Sequence, residues 1–286
     1  MTVREAIDWA QAQLQGAGLT EPAREALALV GACLGWERAQ LIAHPDAPLT
    51  KRQIQRLRGW VRRRAAREPL AYLTHRAWFY GLRLTVGRGA LIPRPETELL
   101  VELFLNWARS SSLRTARPIL VDAGTGTGAI ALACLTHAPT WRGIGIDRSR
   151  RALHWAHINH RALRLESRLW LLQGNWLQGL RPNSVDAVLS NPPYVLPDEW
   201  DALQPEITRY EPKGALLVPA GDPLRPYRRI AQEARCVLRS AGLLAFETSP
   251  RLAPRLAEQL PKWGFPNPQM EHDYAGALRI VWATRS

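Results

Sequence analysis

The chain has 286 residues, long enough for a full α/β domain plus a smaller one, and its hydrophobic content of 46% supports a sizeable core. The formal net charge is +13, carried almost wholly by arginine, since the lysines are Lys51, Lys213 and Lys262. Such a balance suits an anionic partner such as nucleic acid, a ribonucleoprotein or an acidic protein surface, although arginine excess also follows from genomic composition. Cys33, Cys134 and Cys236 lie far apart without a C-x-x-C pair, which argues against a disulfide framework or a zinc site. No run approaches the ~20 apolar residues of a membrane span. Arg4, Glu5 and Asp8 sit where a signal peptide would be apolar, so a cytoplasmic chain without a membrane partner is expected.

Residues 1–75 read as a helical N-terminal domain. Ile7, Ala10 and Leu14 form one apolar stripe, closed by Gly16 and Gly18. Thr20-Glu21-Pro22 has the form of a helix start, with a capping oxygen and a first-turn proline, and the helix continues to Gly35. A third helix follows Thr50, with Ile54, Leu57 and Val61 on one side and Lys51, Arg52, Arg56, Arg58, Arg62, Arg63, Arg64 and Arg67 elsewhere. The charges read as a solvated face, or as a docking surface for an acidic or RNA-bound partner. Pro69 closes the helical section. Residues 76–90 read as a β-hairpin linker, with Trp78-Phe79-Tyr80 and Leu82 to Val86 flanking Gly81.

From 91 to 286 the pattern is that of a catalytic α/β domain. Leu91-Ile92-Pro93-Arg94-Pro95-Glu96-Thr97-Glu98 holds Arg94 extended and brings Glu96 and Glu98 to the positive end of a helix that runs to Arg109 and closes at Ser110-Ser111-Ser112. Strands are expected at Ile119–Asp122, Gly143–Asp147, Leu169–Gln173, Val185–Ser190 and Leu243–Glu247, then a short one around Gln269 and a last one from Ala277 to Trp282. Alternation with helices makes the sheet parallel and doubly wound.

Asp122-Ala123-Gly124-Thr125-Gly126-Thr127-Gly128 is a strand end running through a glycine-rich turn into a helix, a backbone that lets a nucleoside approach closely. Gly124, Gly126 and Ala129 also fit a loose dinucleotide fingerprint, which keeps an NAD enzyme open at this point. Asp147, ending the second strand, supplies a carboxylate for ribose hydroxyls or a cap for the next helix. The fourth strand stops at Asn191-Pro192-Pro193-Tyr194. Neither proline can extend a sheet, and what they leave exposed is the Asn191 oxygen, the Pro192 carbonyl and an aromatic face. That set suits a planar NH2 group. An amide or exocyclic nitrogen is a weak nucleophile, and two acceptors would hold its hydrogens and stabilise positive charge developing on it.

Two competing features are bland. His154, His157 and His160 recur every third residue, but no nearby Cys or carboxylate completes a ligand set, so no metal site is expected. The twelve tryptophans are expected mostly in core or interdomain packing. Trp176 is the exception, following the third strand beside Asn175 where it could face an adenine ring.

Together the segment 91–98, the Gly124–Gly128 loop, Asn191-Pro192-Pro193-Tyr194, and Pro205-Glu206 with Tyr210-Glu211-Pro212 resemble the HemK/PrmC family, the protein-(glutamine-N5) methyltransferases of peptide chain release factors, over nearly the whole chain. The resemblance implies a class I S-adenosylmethionine-dependent methyltransferase: a Rossmann-like, seven-stranded sheet with its last strand antiparallel, and a small helical domain that helps recognise the partner. It implies S-adenosyl-L-methionine as cofactor, class 1 release factors as partners and a role in translation termination. The acceptor would be the glutamine of the Gly-Gly-Gln motif. Carried over by motif, Gly124, Thr125, Gly126, Thr127, Gly128, Asp147, Trp176 and Asn191 would contact the cofactor, and Asn191, Pro192, Pro193 and Tyr194 would hold the glutamine and serve catalysis. Asn175 replaces the Asp common in similar proteins, and Ala123-Gly124 replaces Leu-Gly. An amide keeps an oxygen for adenine's amino group, so retained but weaker cofactor binding is expected. The alternatives are adenine-N6 methylation of DNA or RNA, motivated by the same tetrad and the net charge, and a non-catalytic scaffold. No recognisable target-recognition domain supports the first, so nucleic acid is not expected as substrate, and intact Asn191 argues against the second.

Overall fold

The structure is a computed structural model describing residues 1–110 and 115–286. It divides into two compact units, Met1–Arg76 with Gln204–Tyr210, and Ala77–Leu203 with Glu211–Ser286.

The first unit is helical: α1 (Val3–Gly16), α2 (Pro22–Leu34), α3 (Arg38–Ala43), α4 (Lys51–Ala65) and α5 (Leu70–Thr74), joined by α9 (Pro205–Tyr210). The apolar stripe of α1 is buried at Val3, Ala6, Ala10 and Leu14, with Ile7 at its margin, and it packs with Leu29, Val30 and Leu57. Thr2 and Thr50 start α1 and α4 through reciprocal capping boxes with Glu5 and Gln53. At α2 the cap position falls to Glu21, whose side chain makes no cap bond, so Thr20 does not play the part expected of it. The short helices α3 and α5 lacked a periodic signal because each is under two turns.

Arg64 is a larger correction. It lies on the α4 face shared with Leu57 and Val61 and is buried, its guanidinium bound to Glu25 and, at 2.9 Å, to Glu206. Glu206 also receives Arg67 at 3.3 Å, and the Tyr210 hydroxyl donates to the Ala66 carbonyl at 2.9 Å. The other α4 arginines remain outside this network, except that Arg63 pairs with Glu68.

The second unit opens with the hairpin β1 (Ala77–Phe79) and β2 (Leu82–Leu84) around Gly81. A 3-10 turn, Pro95–Thr97, leads into α6 (Glu98–Ser110). Ser111 and Ser112, expected in the closing loop, lie outside the described residues. Then follow β3 (Ile119–Ala123), α7 (Ala129–His137), β4 (Arg142–Asp147), α8 (Arg150–Ala162), β5 (Leu169–Gln173), β6 (Val185–Ser190), α10 (Arg225–Val237), β7 (Leu238–Glu247), α11 (Ala253–Gln259), β8 (Gln269–His272) and β9 (Leu278–Thr284). The sheet has seven strands in the order β5-β4-β3-β6-β7-β9-β8, parallel from β5 to β7, with β9 antiparallel to both neighbours.

All six residues of β6 are buried, as a strand covered on both faces requires. The charge at Asp186 inside it is met by the Ile119 amide at 2.8 Å and by Arg239 at 2.6 Å. The chain winds outward from β3 through β4 to β5, then returns to lay β6 on the other side of β3. The strand order therefore reverses between β3 and β6, which is where open α/β sheets form a crevice beyond their carboxyl ends. Of the tryptophans, Trp141 is buried, Trp9, Trp36, Trp60, Trp176 and Trp263 are half-buried against the two cores, and Trp78 and Trp170 are exposed. An indole packs well while half covered, which is the state of the others.

Candidate active site

Two strand ends build the site. β3 and β6 run in register from Leu120 opposite Ala187 to Asp122 opposite Leu189, and the Ser190 hydroxyl donates to the Ala123 carbonyl at 2.6 Å. The glycine turn after β3 and the tetrad after β6 therefore leave the sheet side by side. A cavity of about 620 Å³ opens there, and Gly124, Gly126, Asp147, Trp176, Asn191 and Pro193 all line it.

The turn is held from below. The amides of Gly124 and Thr125 both donate to the Ile146 carbonyl, at 2.8 and 2.9 Å. Gly126 donates its amide to Asp147 Oδ2 at 2.9 Å, while the Ser149 amide meets Oδ1 at 2.8 Å. Gly126 has φ +59, and a Cβ built on it would find nothing nearer than the Gly124 carbonyl at 4.0 Å, so it would project into the cavity. A Cβ on Gly124 would sit 3.4 Å from the Trp176 ring, which places the indole beside the turn. Burial raises the Asp147 carboxyl above the usual range, against the pull of its two amide donors. Each Asp147 oxygen retains lone-pair capacity after one amide bond.

Thr125, Thr127 and Gly128 do not line the cavity. The Thr125 hydroxyl points inward to Asp122 Oδ2 at 2.7 Å, and the Ala131 amide reaches the same oxygen at 3.2 Å. Asp122 is fully buried, its Oδ1 has no partner, and desolvation pushes its pKa up to about 6. The Thr127 carbonyl accepts from Asn159, and Gly128 has φ +84 as it enters α7.

In the tetrad, Asn191 Nδ2 donates to the Thr97 hydroxyl oxygen at 3.1 Å. Pro192 is buried beneath the turn, Pro193 lines the cavity, and the Tyr194 hydroxyl donates to Glu247 Oε1 at 3.1 Å. Arg94 takes the extended conformation expected of it, with φ −102° and ψ 144°. It pairs with the buried Glu211, whose other oxygen receives the Ile92 amide at 3.0 Å. The Pro-Arg-Pro-Glu and Glu-Pro segments thus clamp each other.

Sequence reasoning missed the walls at Gly89 and Ala90 and from Gly214 to Pro219, and the arginines Arg148, Arg225 and Arg229. None of these lies in a pattern that names it beforehand, whereas Leu91 and Pro212 belong to segments already singled out. The Asn175 side-chain amide lies 3.2–3.3 Å from the Arg229 guanidinium nitrogens, and both groups are satisfied when its oxygen is turned towards Arg229. The histidines stay structural: His157 Nδ1 donates to the Leu153 carbonyl at 2.7 Å and His160 Nδ1 to the His157 carbonyl at 2.9 Å. Among the described residues no group of side chains has metal-site geometry, and no helix is long and apolar enough to cross a membrane.

Residues 5–74 match the family model for the PrmC N-terminal domain, and residues 97–209 match the methyltransferase small domain. A release factor glutamine methyltransferase of Cereibacter sphaeroides is 36% identical over 99% of this chain and 98% of its own. That of Caulobacter vibrioides is 36% identical over 86% of this chain and 84% of its own, and that of Enterococcus faecalis 32% identical over 98% of each. Among solved structures, the hMettl16 catalytic domain, determined with a MAT2A 3′UTR hairpin, shares the fold with TM-score 0.56, at 14% identity over 83% of both chains. A sheet of this order, a crevice at its switch point and identity sustained along the whole length agree: the chain belongs to the family of release factor glutamine methyltransferases.

Proposed function

We propose that this chain transfers the methyl group of S-adenosylmethionine to the side-chain amide nitrogen, N5, of the glutamine in the Gly-Gly-Gln motif of class 1 peptide chain release factors. The observation that carries the reading is the Asn191 amide on the wall of the same cavity as Gly124, Gly126 and Asp147, with its nitrogen already committed to Thr97. Membership of the family supplies the acceptor. The helical unit, which matches the PrmC N-terminal domain, is assigned to partner recognition, and the site of action to the cytoplasm.

The residues present fit the cofactor. The bare Gly126 backbone leaves room that a Cβ would fill, Asp147 offers acceptors to hydroxyl groups, and Trp176 gives a flat apolar wall. Gly124, Gly126, Asp147, Trp176 and Asn191 would hold it, with Thr125, Thr127 and Gly128 shaping the turn from behind. When bound, it supplies an electrophilic methyl on a sulfonium with a neutral thioether as leaving group.

The protein's own work is orientation. The Asn191 oxygen and the Pro192 carbonyl accept the two hydrogens of the glutamine amide, aiming its nitrogen and stabilising charge as the new bond forms. Tyr194 walls the planar group. The methylated nitrogen loses one proton to regain its amide form. No strong base is needed before attack, because the nucleophile is the neutral amide.

Labelled S-adenosylmethionine with a release factor, followed by mass mapping, tests the reading. Label is expected on the motif glutamine and is lost when that glutamine is substituted; equal labelling of both factors refutes the acceptor. Label on nucleic acid would favour the base-modifying alternative. Asn191→Ala is expected to lose on the order of 10²–10³ in rate while keeping its fold, and near-normal turnover would remove Asn191 from catalysis.

A further inference from the structure

Arg148 follows Asp147 at the carboxyl end of β4. Its guanidinium donates through Nη2 to the Gly214 carbonyl at 3.1 Å, and both residues line the cavity. The bond joins two banks of the crevice. On the first, the Arg148 carbonyl accepts from Gln173 Nε2 at 3.3 Å, where β5 ends beside β4. On the second, Gly214 lies in the 3-10 turn Lys213–Ala215. The Arg94–Glu211 pair holds the chain just before that turn. Beyond it, the Val195 amide donates to the Leu216 carbonyl at 2.9 Å and the Val218 amide to the Val195 carbonyl at 3.0 Å. Val195 directly follows the tetrad, so this bank belongs to the acceptor side of the site and Arg148 to the cofactor side.

Gly214 carries an independent mark of the contact. Its φ lies outside the left-handed range that favours glycine, so the backbone does not call for one there. The space a side chain would need is taken by Arg148, since a Cβ on Gly214 would lie 2.8 Å from Nη2.

We propose that Arg148 is a cofactor-retaining residue, whose bond to Gly214 straps the wall from Gly214 to Pro219 onto the strand end at Asp147 and closes the cavity over bound S-adenosylmethionine. This rests on the cofactor placement given above and concerns residence in the site, not the transfer step. The strap is one charge-assisted hydrogen bond to a neutral carbonyl from an exposed side chain, and water replaces such a bond readily. It therefore opens often enough for entry and slows exit by a limited factor. The thioether product keeps the nucleoside portion of the cofactor, so it leaves past the same strap.

The test uses the full chain and follows release of labelled S-adenosylmethionine, and of labelled S-adenosylhomocysteine, after a chase with unlabelled ligand. Arg148→Ala is expected to raise both dissociation rates about 3- to 10-fold. Gly214→Val fills the place of the guanidinium and should raise them by a similar factor, with thermal stability close to wild type. The double variant should be no faster than either single one, because both substitutions remove the same bond. Wild-type release from Arg148→Ala, or effects that multiply in the double variant, overturns the strap and leaves the methyl-transfer reading standing. A wild type that binds neither ligand overturns both.

Discussion

Gly126→Ala separates the architecture of the turn from its use. Gly126 has φ +59, so an alanine there adopts a left-handed conformation at a cost of roughly 1–2 kcal/mol. That cost lowers the melting temperature by only about 2–8 °C in a domain of this size. The new methyl clashes with no protein atom, the nearest being the Gly124 carbonyl at 4.0 Å, and it enters the cavity. A ligand packed on the bare backbone must retreat by about one C–C bond, ~1.5 Å. Loosening one or two hydrogen bonds costs about 1–3 kcal/mol, roughly 5- to 150-fold in affinity. Titration calorimetry with S-adenosylmethionine reads the loss, and a thermal scan confirms the fold. Gly179→Ala is the control: φ there is +87, nothing lies within 4 Å of an added Cβ, and it does not line this cavity. It should show similar strain and wild-type binding. Equal, undiminished affinity in both variants would refute the placement of the cofactor on this turn.

Two further predictions concern stability. Burial lets the folded Asp122 carboxyl keep its proton to about 6, above the ordinary carboxyl range, so the native state holds an extra proton between that range and about 6. Its contribution is therefore greatest below the unfolded value and declines as pH rises through about 6, by a few kcal/mol at most. Asp122→Asn should flatten this decline in urea titrations at pH values bracketing the window, and an unchanged slope would sink the assignment. Arg64→Ala strands Glu25, leaves Glu206 with Arg67 alone, and should cost the helical unit about 3–5 kcal/mol; a denaturation midpoint equal to wild type would show that those carboxylates are solvated instead.

Legibility followed whether the cause of a feature was local. β5 and β6 occur at the expected residues because each apolar run is bracketed by turn formers. β7 starts at Leu238 rather than Leu243, because Leu238 already pairs with Val185 before the register shift that brings Leu243 opposite Ala187. Arg64 shows a different limit. The spacing from Leu57 and Val61 already put it on the buried face of α4, but nothing near it in sequence announced Glu25 or Glu206 as partners. The site divides in the same way. Asn191-Pro192-Pro193-Tyr194 announces acceptors for a planar NH2, since the prolines dictate what the backbone can offer. It is silent on which end of the Asn191 amide faces the substrate. The amide's partner in the fold is Thr97, which lies nearly a hundred residues upstream on the turn before α6. The motif supplies the functional groups, and a residue outside it anchors the Asn191 amide.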